Sequence, residues 1–306
     1  MTVAPLPDAH AQNWVDRFAP PRLRPWLKLG RFDRPAGTWL LLLPGWQAVS
    51  LAAAERGQWP DWKLIALFAI GATVMRAAGC AYNDIVDRDL DAKVARTAGR
   101  PIPSGQISVK QAWAFLVACS LVGLAVLLTM NRLAIGLGVL SLGLVAAYPF
   151  MKRITWWPQA WLGLTFNWGA PLGYAAAAGV LGWPALLLYA SGLFWTLGYD
   201  TIYAVQDLED DALAGVKSTA RRLGAGAPRA IAGFYAVSAL LTLATGVLAG
   251  LGPLFYLFWL ASAAQFAWQA RKLRLDDSAL ALRLFKSNRD AGLLLAVGFA
   301  LGAVRL

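Results

Sequence analysis

The sequence predicts an all-α, polytopic membrane protein with nine transmembrane helices around a central cavity. Three observations carry that prediction. Apolar residues fill 58% of the 306 positions and charged residues 15%, against roughly 45–50% and about 25% in a soluble domain. Uncharged runs of the length that spans hydrocarbon, about 20 residues, recur along the whole chain. Lys and Arg gather in alternate connections between those runs, as the positive-inside rule requires.

Residues 1–34 form a basic arm with Arg17, Arg22, Arg24, Lys28, Arg31 and Arg34. The arm has no basic stretch followed by an apolar one, and so reads without a signal peptide. The first span occupies the charge-free run between Arg34 and Glu55, and the second, residues 64–82, is interrupted only by Arg76. Lys110 to Arg132 and Arg132 to Lys152 bracket the third and fourth. The uncharged stretch between Arg153 and Asp200 fits two helices turning near GVLGWP, and that between Arg229 and Arg271 fits two more turning near AGLGP. A ninth starts near Asp290. With this count, the arm and the connections after spans 2, 4, 6 and 8 lie on the cytoplasmic side. The opposite side keeps only Arg56, Lys63, Arg132 and Arg305. The net charge of +11 is mostly this asymmetry; it suits anionic lipid head groups rather than nucleic acid.

The polar residues narrow the chemistry. His10 is the single histidine, and the two cysteines, Cys80 and Cys119, fall inside expected spans as packing residues. A histidine triad, a histidine metal cluster and a cysteine zinc site are therefore excluded. What remains is carboxylates, amides, Lys, Arg, Tyr and a hard metal.

Carboxylates concentrate in two places. NDIVDRDLDAK (83–93) follows the second span and YAVQDLEDDALAGVKSTARR (203–222) follows the sixth. In each, an amide precedes the first aspartate, another aspartate follows three residues on, and a lysine and a Thr-Ala pair come later. Four helices separate the copies, so both point the same way, which reads as a parallel internal repeat. On a helix, Asn83, Asp87 and Asp91 share a face, as do Asp207 and Asp211. Oxygen ligands so spaced suit Mg²⁺, which binds one or two carboxylates together with substrate phosphate oxygens. The plainer alternative is a pair of solvated acidic loops neutralised by neighbouring bases. The chain reads as one transmembrane domain, residues 1–306, with acidic-motif loops at 83–109 and 203–229.

The motifs resemble those of the UbiA-type intramembrane prenyltransferases. N-D-x-x-D-x-x-x-D stands as Asn83, Asp84, Asp87 and Asp91, and D-x-x-x-D as Asp207 and Asp211. MRAAGCAYND, RTAGRPIPSG, YPFMKR, GYDTIYAVQD and GVKSTA are most similar to the branch of that family acting on 4-hydroxybenzoate for ubiquinone. The resemblance implies Mg²⁺-dependent transfer of a polyprenyl group from its diphosphate to the ring carbon ortho to the acceptor's hydroxyl. It implies metal ligands among Asn83, Asp84, Asp87, Asp91, Asp207 and Asp211. Arg76, Lys217 and Arg34 would clamp the diphosphate. Arg153 would take the benzoate carboxylate, near Tyr148 and Asp200, although Lys152 and Arg153 also fit as ordinary positive-inside residues. It further implies a bacterial inner membrane, an active site facing the cytoplasm, and no obligatory protein partner. A secondary transporter would place its charges at the midplane rather than at helix ends. A phosphotransferase acting on CDP-alcohols would need glycine after its second motif aspartate, where Arg88 stands.

Overall fold

Helices stand wherever the chain is apolar for long enough, because a backbone without water must satisfy its own hydrogen bonds. The computed structural model describes residues 13–93, 97–208 and 215–305, with the backbone alone at Asp207. The described residues contain helices and no strand. Two short helices open them, α1 (Trp14–Phe18) and α2 (Arg24–Leu29). The longer ones are α3 (Ala36–Ala54), α4 (Trp62–Asp91), α5 (Val109–Leu128) and α6 (Arg132–Ile154). They are followed by α7 (Pro158–Phe166), α8 (Gly169–Ala178) and α9 (Trp183–Ala204). A short α10 (Thr219–Leu223) precedes α11 (Ala227–Leu248), α12 (Pro253–Lys272) and α13 (Ser278–Leu301). By length and hydropathy, Trp62–Asp91, Val109–Leu128, Arg132–Ile154 and Thr219–Leu248 can each cross a membrane.

Three boundaries depart from expectation. The fifth expected span is two helices, α7 and α8. Pro171 has no N–H for the carbonyl of Asn167 four residues back, and Ala170 N–H takes that carbonyl instead at 2.8 Å. The Asn167 side chain is 1% exposed and donates to Gly163 O and Thr196 Oγ1, which anchors the break to α9. The last helix begins at Ser278, well before Asp290, because the Asp277 carboxylate caps it by accepting from Leu280 N–H. Finally, α4 does not stop at Tyr82: residues 83–91 of the expected loop are helix.

The chain divides into two compact units, Met1–Trp39 with Ile70–Leu128, and Leu40–Ala69 with Thr129–Leu306. In the first, Leu29, Ala81, Ile85, Ile102, Ile107 and Ala112 form the core, with Trp26 packed on Phe115. That core holds α2, α4 and the 97–108 loop together. In the second, α3 and α8 touch backbone to backbone. A Cβ on Gly173 would stand 2.7 Å from Gly45 O, so this approach needs glycine. Apolar side chains such as Leu121, Leu140, Leu240 and Leu260 are exposed, as expected of surfaces that meet lipid tails. Cys80 and Cys119 are unbridged, as expected.

Candidate active site

Because α4 continues to Asp91, the first motif lies on a helical strip rather than in a loop. Asp84 and Asp87 are 0% exposed and Asp91 5%. Buried carboxylates this close need positive partners. Arg31 Nη2 donates to Asp84 Oδ1 at 2.6 Å. Arg100 Nη1 donates to Asp91 Oδ2 at 2.7 Å and lies 3.4 Å from Asp84 Oδ1. Thr97 Oγ1 caps the helix by donating to Asp91 O at 2.8 Å. Asp89, by contrast, faces outward beside Arg88. Arg31 holds its place at a backbone φ of +61°, a left-handed conformation that costs a non-glycine residue about 1–2 kcal/mol.

Neither arginine was singled out in the sequence: Arg31 counted toward membrane orientation, and Arg100 stood in a basic connection and within RTAGRPIPSG without a role of its own. The signal available was the seven-residue spacing of Asp84 and Asp91, two turns of one helix face.

Of the three diphosphate candidates, Arg76 lies against Gly37 in the first turn of α3, and Arg34 stands just before that helix. A Cβ on Gly37 would stand 2.6 Å from Arg76 Nη2, so glycine there makes room for the guanidinium. Arg34 Nε lies 3.3 Å from Asp33 Oδ1. Asp33, 4% exposed, was not anticipated from the sequence.

The remaining candidates belong to the second unit. Tyr148 and Arg153 lie in the last turns of α6, Tyr148 half-buried and Arg153 exposed. Lys217 is fastened to that same helix end: its N–H donates to Lys152 O and its Nζ to Ile154 O, at 3.0 and 3.1 Å. Two residues on, Thr219 Oγ1 and N–H both donate to Gln159 Oε1, and the Arg221 guanidinium lies over Trp156. The segment after the second acidic motif is thus sewn to the α6–α7 corner, which brings Lys217 to the helix that carries Arg153. Asp200 is half-buried on α9. Tyr199 is 1% exposed between Trp195 and Phe285, packed as core, whereas Tyr203 is half-buried beside Phe285 at 4.7 Å. A 3₁₀ turn, Val205–Asp207, follows α9 and carries Asp207. Asp211 lies outside the described residues.

The donor set suits a hard divalent cation. Carboxylate and amide oxygens are what Mg²⁺ takes, and Asp33 Oδ2 and Asp84 Oδ2 are buried without a hydrogen-bond partner among the described residues. No three acidic side chains converge among the described residues, which include no side chain of the second motif.

Comparison with known proteins supplies a family and a fold. The model of the UbiA prenyltransferase family matches residues 41–299. The chain is 47% identical over 286 residues to the mitochondrial 4-hydroxybenzoate polyprenyltransferase of Homo sapiens, covering 93% of this chain and 76% of that protein. With the mitochondrial enzyme of the same name from Arabidopsis thaliana, identity is 45% over 292 residues, 95% of this chain and 71% of that one. Among solved structures, the apo UbiA homologue from Aeropyrum pernix K1 superposes with a TM-score of 0.72 at 27% identity, covering 85% of this chain and 96% of that one. A UbiA homologue from Archaeoglobus fulgidus, bound to GPP and Mg²⁺, superposes with a TM-score of 0.62 at 20% identity, covering 92% and 100%.

Proposed function

The chain belongs to the UbiA prenyltransferase family, and from that premise we propose that it transfers a polyprenyl group from polyprenyl diphosphate to 4-hydroxybenzoate. The observation that carries the reading is the row of buried carboxylates Asp84, Asp87 and Asp91 at the end of a membrane-crossing helix, in a chain 45–47% identical to enzymes of that name. The whole chain acts as one catalytic domain, with nine crossings and both acidic motifs on the positively charged side. A lateral opening from a central cavity would leave the prenyl tail in hydrocarbon. The relatives named above are mitochondrial, so a bacterial inner membrane draws no support from them; the location proposed is a membrane, with the site on its basic side.

Asn83 and Asp87, with Asp207 and Asp211, would hold Mg²⁺, and Asp84 and Asp91 stand beside them. The metal supplies charge neutralisation to the leaving diphosphate. Arg76 and Arg34 near the start of α3, and Lys217 through its ammonium group, would orient the phosphate oxygens. Ionisation leaves an allylic cation, which the face of Tyr203 can stabilise. Arg153 would pair with the acceptor's carboxylate through two parallel N–H bonds, with Tyr148 on the same helix end. Asp200 would orient the phenol or take a proton.

The test is product analysis on purified membranes given a prenyl diphosphate and a panel of aromatic acceptors, with and without Mg²⁺. A 3-polyprenyl-4-hydroxybenzoate that forms only with the metal is the expected result. Prenylation of another acceptor in preference, or none of any, overturns the reading.

A further inference from the structure

Three elements meet at one buried spot in the first unit: the turn at Arg31, the helix α4 at Asp84 and at its last residue Asp91, and the 97–108 loop through Arg100. Two guanidinium groups there face two carboxylates, at 2.6, 2.7 and 3.4 Å. We infer that Asp84 is a positioning residue rather than a metal ligand: through Arg31 and Arg100 it fastens the basic arm and the 97–108 loop to α4, beside Asn83 and Asp87. The inference deepens the proposed function and rests on it for the identity of the ion.

Helix geometry separates the two roles. At 3.6 residues per turn, Asp87 lies about 40° around α4 from Asn83, while Asp84 lies about 100° away. Asp84 therefore sits at the edge of the strip, on the side where Arg31 and Arg100 stand. Its Oδ1 receives both arginines. Its Oδ2 is buried without a hydrogen-bond partner among the described residues, and this is the one atom that speaks for coordination. Two cationic groups on the neighbouring oxygen already compensate the charge, however, and repel a divalent ion approaching from that side. Asp91 gives Oδ2 to Arg100.

The arrangement also explains Arg31. A non-glycine residue at φ +61° is unfavourable in isolation, and the contact with a fully buried carboxylate holds it there. In the other copy of the repeat, Arg222 holds the place of Arg100, three residues after the threonine, and it is exposed. Sequence alone therefore does not give the two copies the same clamp.

The experiment uses the full chain in lipid nanodiscs with three readouts: Mn²⁺ binding by electron paramagnetic resonance, limited proteolysis of the 97–108 loop, and prenyl transfer against Mg²⁺ concentration. Asp84→Asn and Arg100→Gln should bind Mn²⁺ within about twofold of the unsubstituted protein, whereas Asp87→Asn should weaken it at least about tenfold. Asp84→Asn and Arg100→Gln should also speed cleavage of the loop several-fold and lower kcat at least about tenfold, with the Mg²⁺ half-saturation unchanged. Arg100→Lys should recover part of the loss, since it keeps the charge without the fork. Asp84→Asn weakening Mn²⁺ as much as Asp87→Asn, or excess Mg²⁺ restoring its turnover, would make Asp84 a ligand and overturn the inference. A loop as protected in Arg100→Gln as in the unsubstituted protein would overturn it too, and decides the matter if Asp84→Asn does not fold. Failure of the proposed function looks different: the unsubstituted protein would bind no Mn²⁺ and transfer no prenyl group, while the loop comparison would still read the clamp.

Discussion

Individual side chains divide the labour at the proposed site, and substitution can separate them. Asp87→Ala and Asp211→Ala each remove a proposed charged ligand from a different motif. Both should abolish prenyl transfer in protein that still inserts, and appreciable turnover of either at saturating Mg²⁺ would refute a metal held by both motifs. Arg153→Ala should act on the acceptor instead. An aromatic carboxylate leaving water needs a partner, and a hydrogen bond to a charged group is worth about 1.5–3 kcal/mol, or roughly ten- to more than a hundredfold. Because Arg153 is exposed at the end of α6, the lower part of that range applies. KM for 4-hydroxybenzoate should rise by about that factor with little change for the diphosphate, and Arg153→Lys should rescue partly. Equal loss for both substrates would return Arg153 to the role of an orientation charge.

Elements carry their own predictions. Where α8 crosses α3, Gly173 has no room for a side chain against Gly45 O. Gly173→Leu should therefore cost about 1–3 kcal/mol or more, as overpacking does, read as a lower thermal midpoint in detergent; Gly173→Ala should cost less. The α1–α2 pair is joined by Lys28 Nζ, 2.7 Å from Asp16 Oδ1. Burial opposes the charge on Asp16, but the hydrogen bonds from Lys28 and Asn13 and the charges of Lys28 and Arg24 outweigh it and lower its pKa. The contact therefore stabilises fully above the ordinary carboxylate value of about 3.9, and the stabilisation fades as pH falls through the lowered value. Hydrogen exchange over residues 14–30 should quicken below about pH 4, and Asp16→Asn should quicken it at neutral pH while removing the acid-side change.

For the molecule as a whole, the proposed parallel repeat and nine crossings make a topological prediction. Ser104 and Ala225 are exposed in the connections that follow the two acidic motifs, and Gln58 and Val180 are exposed in connections of the other kind. Cysteines at 104 and 225 should react with an impermeant thiol reagent from one side of the membrane only, and cysteines at 58 and 180 from the other. Labelling of 104 and 225 from opposite sides would break both the repeat and the count.

Hydropathy and charge spacing were enough to give the all-helical class and several of the apolar helices, because lipid offers the backbone no partner and the chain must answer with long apolar runs. The family was legible through a different signal, the resemblance carried by the motifs around Asn83, Asp87, Asp207 and Asp211. Three things were not legible that way. The break at Asn167 depends on Pro171 together with a bond to Thr196 on another helix, and the advance of α13 to Ser278 on one capping carboxylate. The clamp on Asp84 joins residues 53 positions apart through Arg31 and 16 apart through Arg100. A sequence counts such arginines as loop charges, because local pattern records how many charges a segment holds but not which buried partner each one meets. That pairing follows from the packing of Leu29, Ile85 and Ile102 into one core, which carries the arm and the loop to α4 and leaves their arginines beside its aspartates.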